Sequence, residues 1–326
     1  MKPRNLLIGL AVAGIAATAA YCQEKANLTW TDPAKAKAED PDFSIQGEYG
    51  ADTAGQAWGA QVVALGDGKF DAYLLEGGLP GLGWTKEKAR TALSGTANDL
   101  KSADGTLAAS IAAGKIAVKK DGQPLVELPR LERHSPTEGA KAPDGAIVLF
   151  DGSSADEWEK GRVENGLLPN SDVTTKRKFS SYTLHLEFRT PYKPFARGQA
   201  RGNSGVYQQG RFETQVLDSF GLEGKMNETG GIYSIAGPSV NTCLPPLQWQ
   251  TYDVDFTAAE FDAAGKIAKN PRITVRLNGT VVHDDVELPK GTPGGPLKDI
   301  TPEPGSIYLQ SHGNPVFYRN IWIVEK

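Results

Sequence analysis

The sequence predicts an all-β protein in which a small, mostly-β N-terminal unit precedes a larger unit of two packed antiparallel sheets. Three observations carry that reading. Apolar and polar residues alternate with a period of two through most of the C-terminal half. Glycine and proline, 37 and 21 in 326 residues, break the alternating runs at short intervals. Runs with the 3.6-residue period of a half-buried helix are scarce.

At the N-terminus, Lys2 and Arg4 precede the apolar run "LLIGLAVAGIAA", and small residues follow, with Ala17-Thr18-Ala19 offering a cleavage site. Residues 1–22 are therefore expected to be a signal peptide and the protein to be secreted or periplasmic. Tyr21 is bulky where a lipoprotein signal needs a small residue, which argues against lipid anchoring at Cys22. No later run is long enough to cross a bilayer, so no integral membrane segment is expected after signal removal.

Residues 23–44 are charged, alanine-rich and broken by prolines, and are expected to be a linker. From Ile45 to Arg133, short apolar runs are separated by Gly-Asp-Gly and Gly-Gly-Leu-Pro-Gly, the pattern of a small β module. Within it "KKDGQ" reads as a hairpin turn and "WTKEKARTAL" as one or two helical turns. A second linker, "HSPTEGAKAPDG" (134–145), has no apolar run, and residues 146–326 form the larger unit. Its strand candidates include "YTLHLEFRT", "GVYQQGRFETQVLD", "RITVRLNGTVVHDDVEL" and "GSIYLQSHG"; Asn278-Gly279 in the third is a strong hairpin signal. Alternation puts Tyr182, Leu184, Leu186 and Phe188 on one face and Thr183, His185 and Glu187 on the other.

Hydrophobic residues at 39% with 23% charged residues describe a folded chain rather than a disordered one. Net charge is −4 and no basic stripe is present, which excludes a nucleic-acid partner. Two cysteines and four histidines exclude a disulfide framework and a zinc-finger type of site.

The stretch "RGNSGVYQQGRFETQVLDSFG" (201–221) concentrates the chemistry. Phe212, Thr214 and Val216 share one parity and Arg211, Glu213 and Gln215 the other. A polar strand face is ordinarily just solvated. Here, glycines at 202, 205 and 210 leave the backbone open to a ligand, and carboxylate, amide and guanidinium groups are those that hold sugar hydroxyls. Glu213, Gln215 and Asp218 have the i, i+2, i+5 spacing of the E-x-D-x-x-E strand of laminarinase-like retaining glycosidases. With glutamine in the middle and aspartate last, the spacing matches and the two-carboxylate chemistry does not. In "YLQSHGNPVFYRNIWI", His312 has the parity of Tyr308 and Gln310 and sits at a strand-to-turn edge, where a structural role and a functional one are equally open. Tyr207, Tyr233, Trp249 and Tyr252 are aromatics that either stack on sugar rings or fill the core.

Seven segments in order, "GAIVLFDG", "GNSGVY", "FETQVLDS", "GGIYSIAGPSVN", "WQTYDVDF", "PRITVRLNGTVVHDDVEL" and "LQSHGNPVFYRNIWI", resemble the successive motifs of the 3-keto-disaccharide hydrolase family over residues 145–326. The resemblance implies a concanavalin-like jelly roll. It also implies cleavage of a glycosidic bond in a sugar already oxidised at C3, with an oxidised di- or oligosaccharide as partner. Removal of the acidified C2 proton, β-elimination of the C1 substituent and rehydration would accomplish it. Under that resemblance Glu213 and Asp218 are candidate bases or metal ligands, and His312 is a candidate acid or base. Arg201, Asn203 and Gln215 would position hydroxyls or polarise the ketone, with Tyr207, Gln310 and Asn314 completing the substrate-binding set. A divalent Ca, Mg or Zn ion acting as Lewis acid on the ketone suits such oxygen ligands, although no diagnostic metal motif is present. The alternative is a non-catalytic carbohydrate-binding module, which needs the same polar groups but no base.

Overall fold

The computed structural model describes residues 28–326, so the expected signal segment and Cys22 lie outside the described residues. No helix among those residues is long and apolar enough to cross a membrane. Two short helices come first, α1 (Pro33–Glu39) and α2 (Pro41–Ile45). Each starts with proline and is capped by an aspartate, Asp32 onto the Lys35 N–H and Asp40 onto the Asp42 N–H. The segment expected to be a linker to residue 44 is therefore helical from residue 33. Its prolines, read as breaks, act as helix starts.

Eight antiparallel strands then close into a barrel: β1 (Gly47–Tyr49), β2 (Trp58–Gly66), β3 (Lys69–Glu76), β4 (Arg90–Thr96), β5 (Asp99–Ser102), β6 (Leu107–Ala112), β7 (Lys115–Lys120) and β8 (Gln123–Leu131). Closure comes from β1 pairing with β8, Glu48 opposite Leu131. Small residues inside (Ala60, Ala64, Ala72, Ala109) alternate with Val62, Phe70, Leu74, Leu93 and Ile116, which lets a narrow barrel fill without a lumen. The Asp121-Gly122 turn of "KKDGQ" has both residues at positive φ, as a tight hairpin requires. "WTKEKARTAL" is not helical: residues 85–88 turn and Arg90 begins β4, which pairs along β3 from Lys69 to Leu75. Sheet pairing overrides the local helical preference of its Lys, Glu and Ala.

Beyond the barrel, two sheets face each other. The first, of five strands, has the order β10 (Trp158–Glu159), β12 (Val173–Thr175), β21 (Tyr308–Ser311), β14 (Ser204–Gln208) and β15 (Phe212–Val216). The second runs β11 (Leu168–Pro169), β22 (Phe317–Glu325), β13 (Tyr182–Arg189), β16 (Gln250–Thr257), β19 (Arg272–Leu277) and β20 (Thr280–Glu287), with β9 (Ile147–Phe150) also on β22. A small ribbon, β17 (Glu260–Phe261) with β18 (Ile267–Lys269), stands apart. Val206, Phe212, Val216 and Leu309 from the first sheet meet Leu184, Leu186, Val254, Phe256, Val275 and Ile323 from the second in one core, as the alternation predicts. Asn278-Gly279 forms the β19–β20 turn, both residues at positive φ. The segment "GGIYSI" (230–235), whose apolar residues also suggest a strand, contributes only isolated bridges at Ile232.

The connector 134–145 is irregular, as its composition predicts, but it is held firmly against the outer face of the second sheet. Glu187 accepts from the Gly139 N–H at 2.6 Å, from Arg319 Nε at 2.6 Å and from Asn320 Nδ2 at 2.8 Å. Burial pushes the Glu187 carboxyl up, yet these donors and neighbouring His185 outweigh it and bring it down to about 2. His185 in turn sits 2.6 Å from Asp253. Burial lowers the imidazole's pKa, and the two carboxylates more than reverse that. The polar parity of "SYTLHLEF" is thus a structural network under the connector.

Candidate active site

The β14–β15 hairpin sets Gly205 opposite Gln215 and Tyr207 opposite Glu213, while β14 and β21 set Gly205 opposite Gln310 and Tyr207 opposite Tyr308. Directly paired residues share a sheet face. Tyr308, Tyr207, Glu213, Gln215 and Gln310 therefore stand together on the side of the five-stranded sheet turned away from the core. Beyond the β15 edge, Thr214 bridges Ile232 and the Tyr233 N–H donates to the Glu213 carbonyl, so Tyr233 flanks Glu213 on that same face.

Glu213 is the chemical centre of the face. It is only 4% exposed, and burial pushes its carboxyl up to about 7 against the partial opposition of a hydrogen bond from Tyr207. The Tyr207 hydroxyl lies 2.8 Å from Glu213 Oε2 and 2.9 Å from the Pro293 carbonyl, and it accepts from Gln310 Nε2 at 3.2 Å. Burial and the adjacent carboxylate push the Tyr207 phenol well above its ordinary range, so it stays a proton donor. Oε1 of Glu213 accepts no hydrogen bond from the described residues, and it occupies space that only a glycine leaves. A Cβ on Gly205 would stand 2.5 Å from it. On the other side the loop after β20 comes down on Tyr207. Gly294, at φ +86, approaches so closely that a Cβ there would lie 2.7 Å from the Tyr207 hydroxyl.

Three amides extend the face toward the start of β14. Gln215 Nε2 donates to Asn203 Oδ1 at 3.0 Å and to Gln199 Oε1 at 3.3 Å, and Asn203 Nδ2 donates to the same Gln199 oxygen at 3.0 Å. Their mutual bonding uses the Gln215 amide nitrogen and leaves its side-chain oxygen Oε1 with no donor among the described residues. Gln199, on the 3₁₀ turn Gly198–Ala200, carried no sequence signal. Tyr233 and Tyr308 did: both have the parity of the cleft face, but strand aromatics are ordinarily core.

Other expected site residues are placed differently. Asp218 is paired to Arg201 (Oδ2–Nε 2.6 Å) and accepts the Phe220 N–H on its other oxygen. Arg201 also reaches the Ala64 carbonyl and Gln46 Oε1. This is a buried joint between barrel and sandwich, not part of the cleft. A guanidinium and a carboxylate that close are satisfied by each other. Asn314 accepts from Lys193 Nζ and the Gly202 N–H and donates to the His312 carbonyl, so it braces the loop that carries Asn203. Arg211 turns away to hold the Asp299 carbonyl and Thr301. His312 is exposed in the turn after β21, one step beyond the Ser204–Ser311 pair and hence beside Asn203. The register puts it four residues, about 13 Å along the strands, from the Tyr207–Glu213 pair. With Asp218 engaged by Arg201, Glu213 and Asp218 do not form a shared ligand set for a Ca, Mg or Zn ion. Among the described residues no three His, Cys, Asp or Glu side chains are grouped to hold one.

The cleft thus offers one buried, weakly acidic carboxyl with a free oxygen, a phenol donor beside it, and a line of amides leading to an exposed imidazole. A cavity of about 450 Å³ lies elsewhere, between the N-terminal helices, the end of β8 and the 245–249 loop, and includes none of these residues.

The sandwich has relatives among known proteins. A crystal structure of a candidate glycosyl hydrolase from Parabacteroides distasonis ATCC 8503 is 35% identical, covers 57% of this chain and 85% of its own, and superposes with a TM-score of 0.52. A second candidate glycosyl hydrolase from the same organism is 19% identical over 56% of this chain and 94% of its own, with a TM-score of 0.41. No curated protein sequence matches the chain. The family model for the 3-keto-alpha-glucoside-1,2-lyase-like domain matches residues 145–324, more than half of the sequence and the whole of the sandwich that carries the cleft, and the chain belongs to that family.

Proposed function

We propose that the cleft cleaves the glycosidic bond of 3-keto-glucosides by elimination, with Glu213 as the base. The observation that carries this reading is the state of Glu213: one buried carboxyl with a free oxygen and a pKa of about 7. Such a group is poised to take a proton at neutral pH. A retaining displacement needs two carboxyls about 5–5.5 Å apart, and the only sequence partner for Glu213, Asp218, is held by Arg201. Family membership and the solved relative support action on a glycosidic bond.

The ketone at C3 makes the C2 hydrogen acidic. Glu213 Oε1 takes that proton, the C2–H electrons form the C1–C2 double bond, and the C1–O bond breaks with its electrons leaving on the aglycone oxygen. The aglycone oxygen takes its proton from solvent, because His312 stands four residues along the strands from the Tyr207–Glu213 pair while the C1 oxygen is one carbon away from C2. We assign His312 to contacts with the far end of the aglycone. Water then adds across the double bond, hydroxide to C1 and a proton to C2, giving the free 3-keto-sugar. Gln215, Asn203 and Gln310 would hold hydroxyls and the enolate oxygen, and Tyr207 keeps Glu213 oriented. On the signal expected in residues 1–22, we place this activity outside the cytoplasm.

The test is to incubate the protein in ²H₂O with a 3-keto-disaccharide and with its unoxidised parent. Release of 3-keto-sugar from the oxidised substrate alone, with deuterium at C2 and loss of activity in Glu213→Gln, is the expected result. Turnover of neither substrate, with binding retained, would make the domain a carbohydrate-binding module.

A further inference from the structure

The cavity of about 450 Å³ noted above is unconnected with Glu213 and is built mainly by residues that precede the family-matched region. Its walls come from α1, α2, the end of β8, the connector and the loop before β16. The volume lies within the range of about 300–1,000 Å³ usual for small-molecule sites.

Some of its polar groups are engaged and others are not. Arg130 is anchored on the Gln46 carbonyl through Nε (3.3 Å) and Nη2 (3.0 Å). The chain leaves room for that guanidinium: Gly47, at φ +145, would bring a Cβ to 3.2 Å from both nitrogens. Arg130 has no carboxylate partner among the described residues, and neither Lys37 nor Glu132 has an ion-pair partner there although all three line the cavity. His134 is bonded to Glu138 through Nδ1 at 3.1 Å, which leaves Nε2 outward. Trp249 forms a stiff wall, with the Arg319 guanidinium 4.0 Å and the Arg189 guanidinium 4.8 Å from its ring centre.

The lining mixes donors and acceptors. Lys37 and Arg130 stand with Glu132, while Glu138 is already held by Arg319 at 2.8 Å and by His134 at 3.1 Å, so the wall is not the purely cationic one an anion site would need. Lys37, Arg130 and Glu132 share the lining with Pro33, Pro245, Pro246, Phe43 and Trp249, a combination that suits a molecule with many hydroxyls and apolar C–H faces. We propose that this cavity is a second binding site, for a neutral sugar of one or two rings, distinct from the cleft at Glu213. It does not depend on the elimination chemistry, because it would take unoxidised sugar.

The experiment is calorimetric titration of the full-length protein with glucose, galactose, mannose, xylose, cellobiose and maltose. Wild type and Glu213→Gln should bind at least one of these with the same Kd. Glu132→Gln, at an exposed side chain with no ion-pair partner among the described residues, and Ala34→Trp, which fills the cavity from α1, should each weaken that binding about tenfold or more, the effect of one lost polar contact or of a blocked site. Thermal unfolding of both variants should match wild type. Failure of every sugar to bind wild type would overturn the proposal. So would folded cavity variants that bind like wild type, or loss of binding in Glu213→Gln alone.

Discussion

The Tyr207 hydroxyl lies 2.8 Å from Glu213 Oε2 and steadies a carboxyl that burial has raised to about 7. Its hydrogen bond lowers the pKa, so removing it must raise the pKa further. In Tyr207→Phe the acidic limb of the pH profile of kcat/KM should therefore move upward. Activity on a 3-keto-glucoside should fall about three- to tenfold at pH 7 and recover by pH 9. An unmoved limb would take Glu213 out of the base role.

Glu213 also links stability to pH. Its folded pKa of about 7 exceeds its ordinary 4.5, so the folded state binds the proton more tightly than the unfolded chain does. The resulting stabilisation is fully present below about pH 4.5 and is lost as pH rises through about 7, on the order of 3 kcal/mol in all. Glu213→Gln should flatten this slope and unfold at higher temperature than wild type at pH 8. Differential scanning calorimetry between pH 4 and 8 reads both effects.

Gly205 is a space requirement rather than a turn. An alanine there would press its Cβ against Glu213 Oε1 at 2.5 Å and Tyr207 Cε2 at 3.0 Å. Displacing the base by about 1 Å costs roughly a hundredfold in kcat/KM. Gly205→Ala should show that loss in steady-state kinetics while remaining folded by circular dichroism.

Asp218 separates the structural reading from the catalytic one. Breaking its buried pair with Arg201 should destabilise the fold by about 3–5 kcal/mol. Below its unfolding temperature, Asp218→Asn should keep kcat within a few-fold of wild type, because neither carboxylate oxygen faces the cleft. A loss of kcat by orders of magnitude in folded protein would restore Asp218 as a candidate base.

His312 can be probed through the leaving group. As a group that only contacts the aglycone, His312→Ala should raise KM for alkyl and nitrophenyl 3-keto-glucosides alike and leave kcat little changed. A selective loss of about 10²–10⁴-fold with alkyl aglycones would instead mark it as the acid.

Faces were legible in the sequence and their occupants were not. The two-residue period assigned Glu213, Gln215 and Gln310 correctly to one side because side-chain direction in a strand is fixed by the backbone. Asp218, two residues past the end of β15, lies where that rule lapses, and it is paired with Arg201, which also reaches the barrel. Arg211 shares the parity of Glu213 but precedes the strand and serves the 299–301 segment. His185 and Glu187 have the alternation of a solvent face, and a connector without an apolar run covers them, its Gly139 N–H bonding Glu187. The prolines that begin α1 and α2 carried the opposite meaning from the one their frequency suggested. Local composition does not distinguish a break from a helix start until the capping aspartate is considered as well.

Gln46 gives the barrel a consequence beyond its own fold. Its Oε1 accepts from the Ala64 N–H of the barrel and from Arg201 of the sandwich, while its carbonyl holds Arg130. Arg201 stands two residues before Asn203. The family similarity begins at residue 145, but the hydrogen-bonded body that positions the cleft begins a hundred residues earlier. A sandwich excised at that similarity boundary would keep its strands and lose the anchor of its amide row, so the inherited module and the working unit are not the same length of chain.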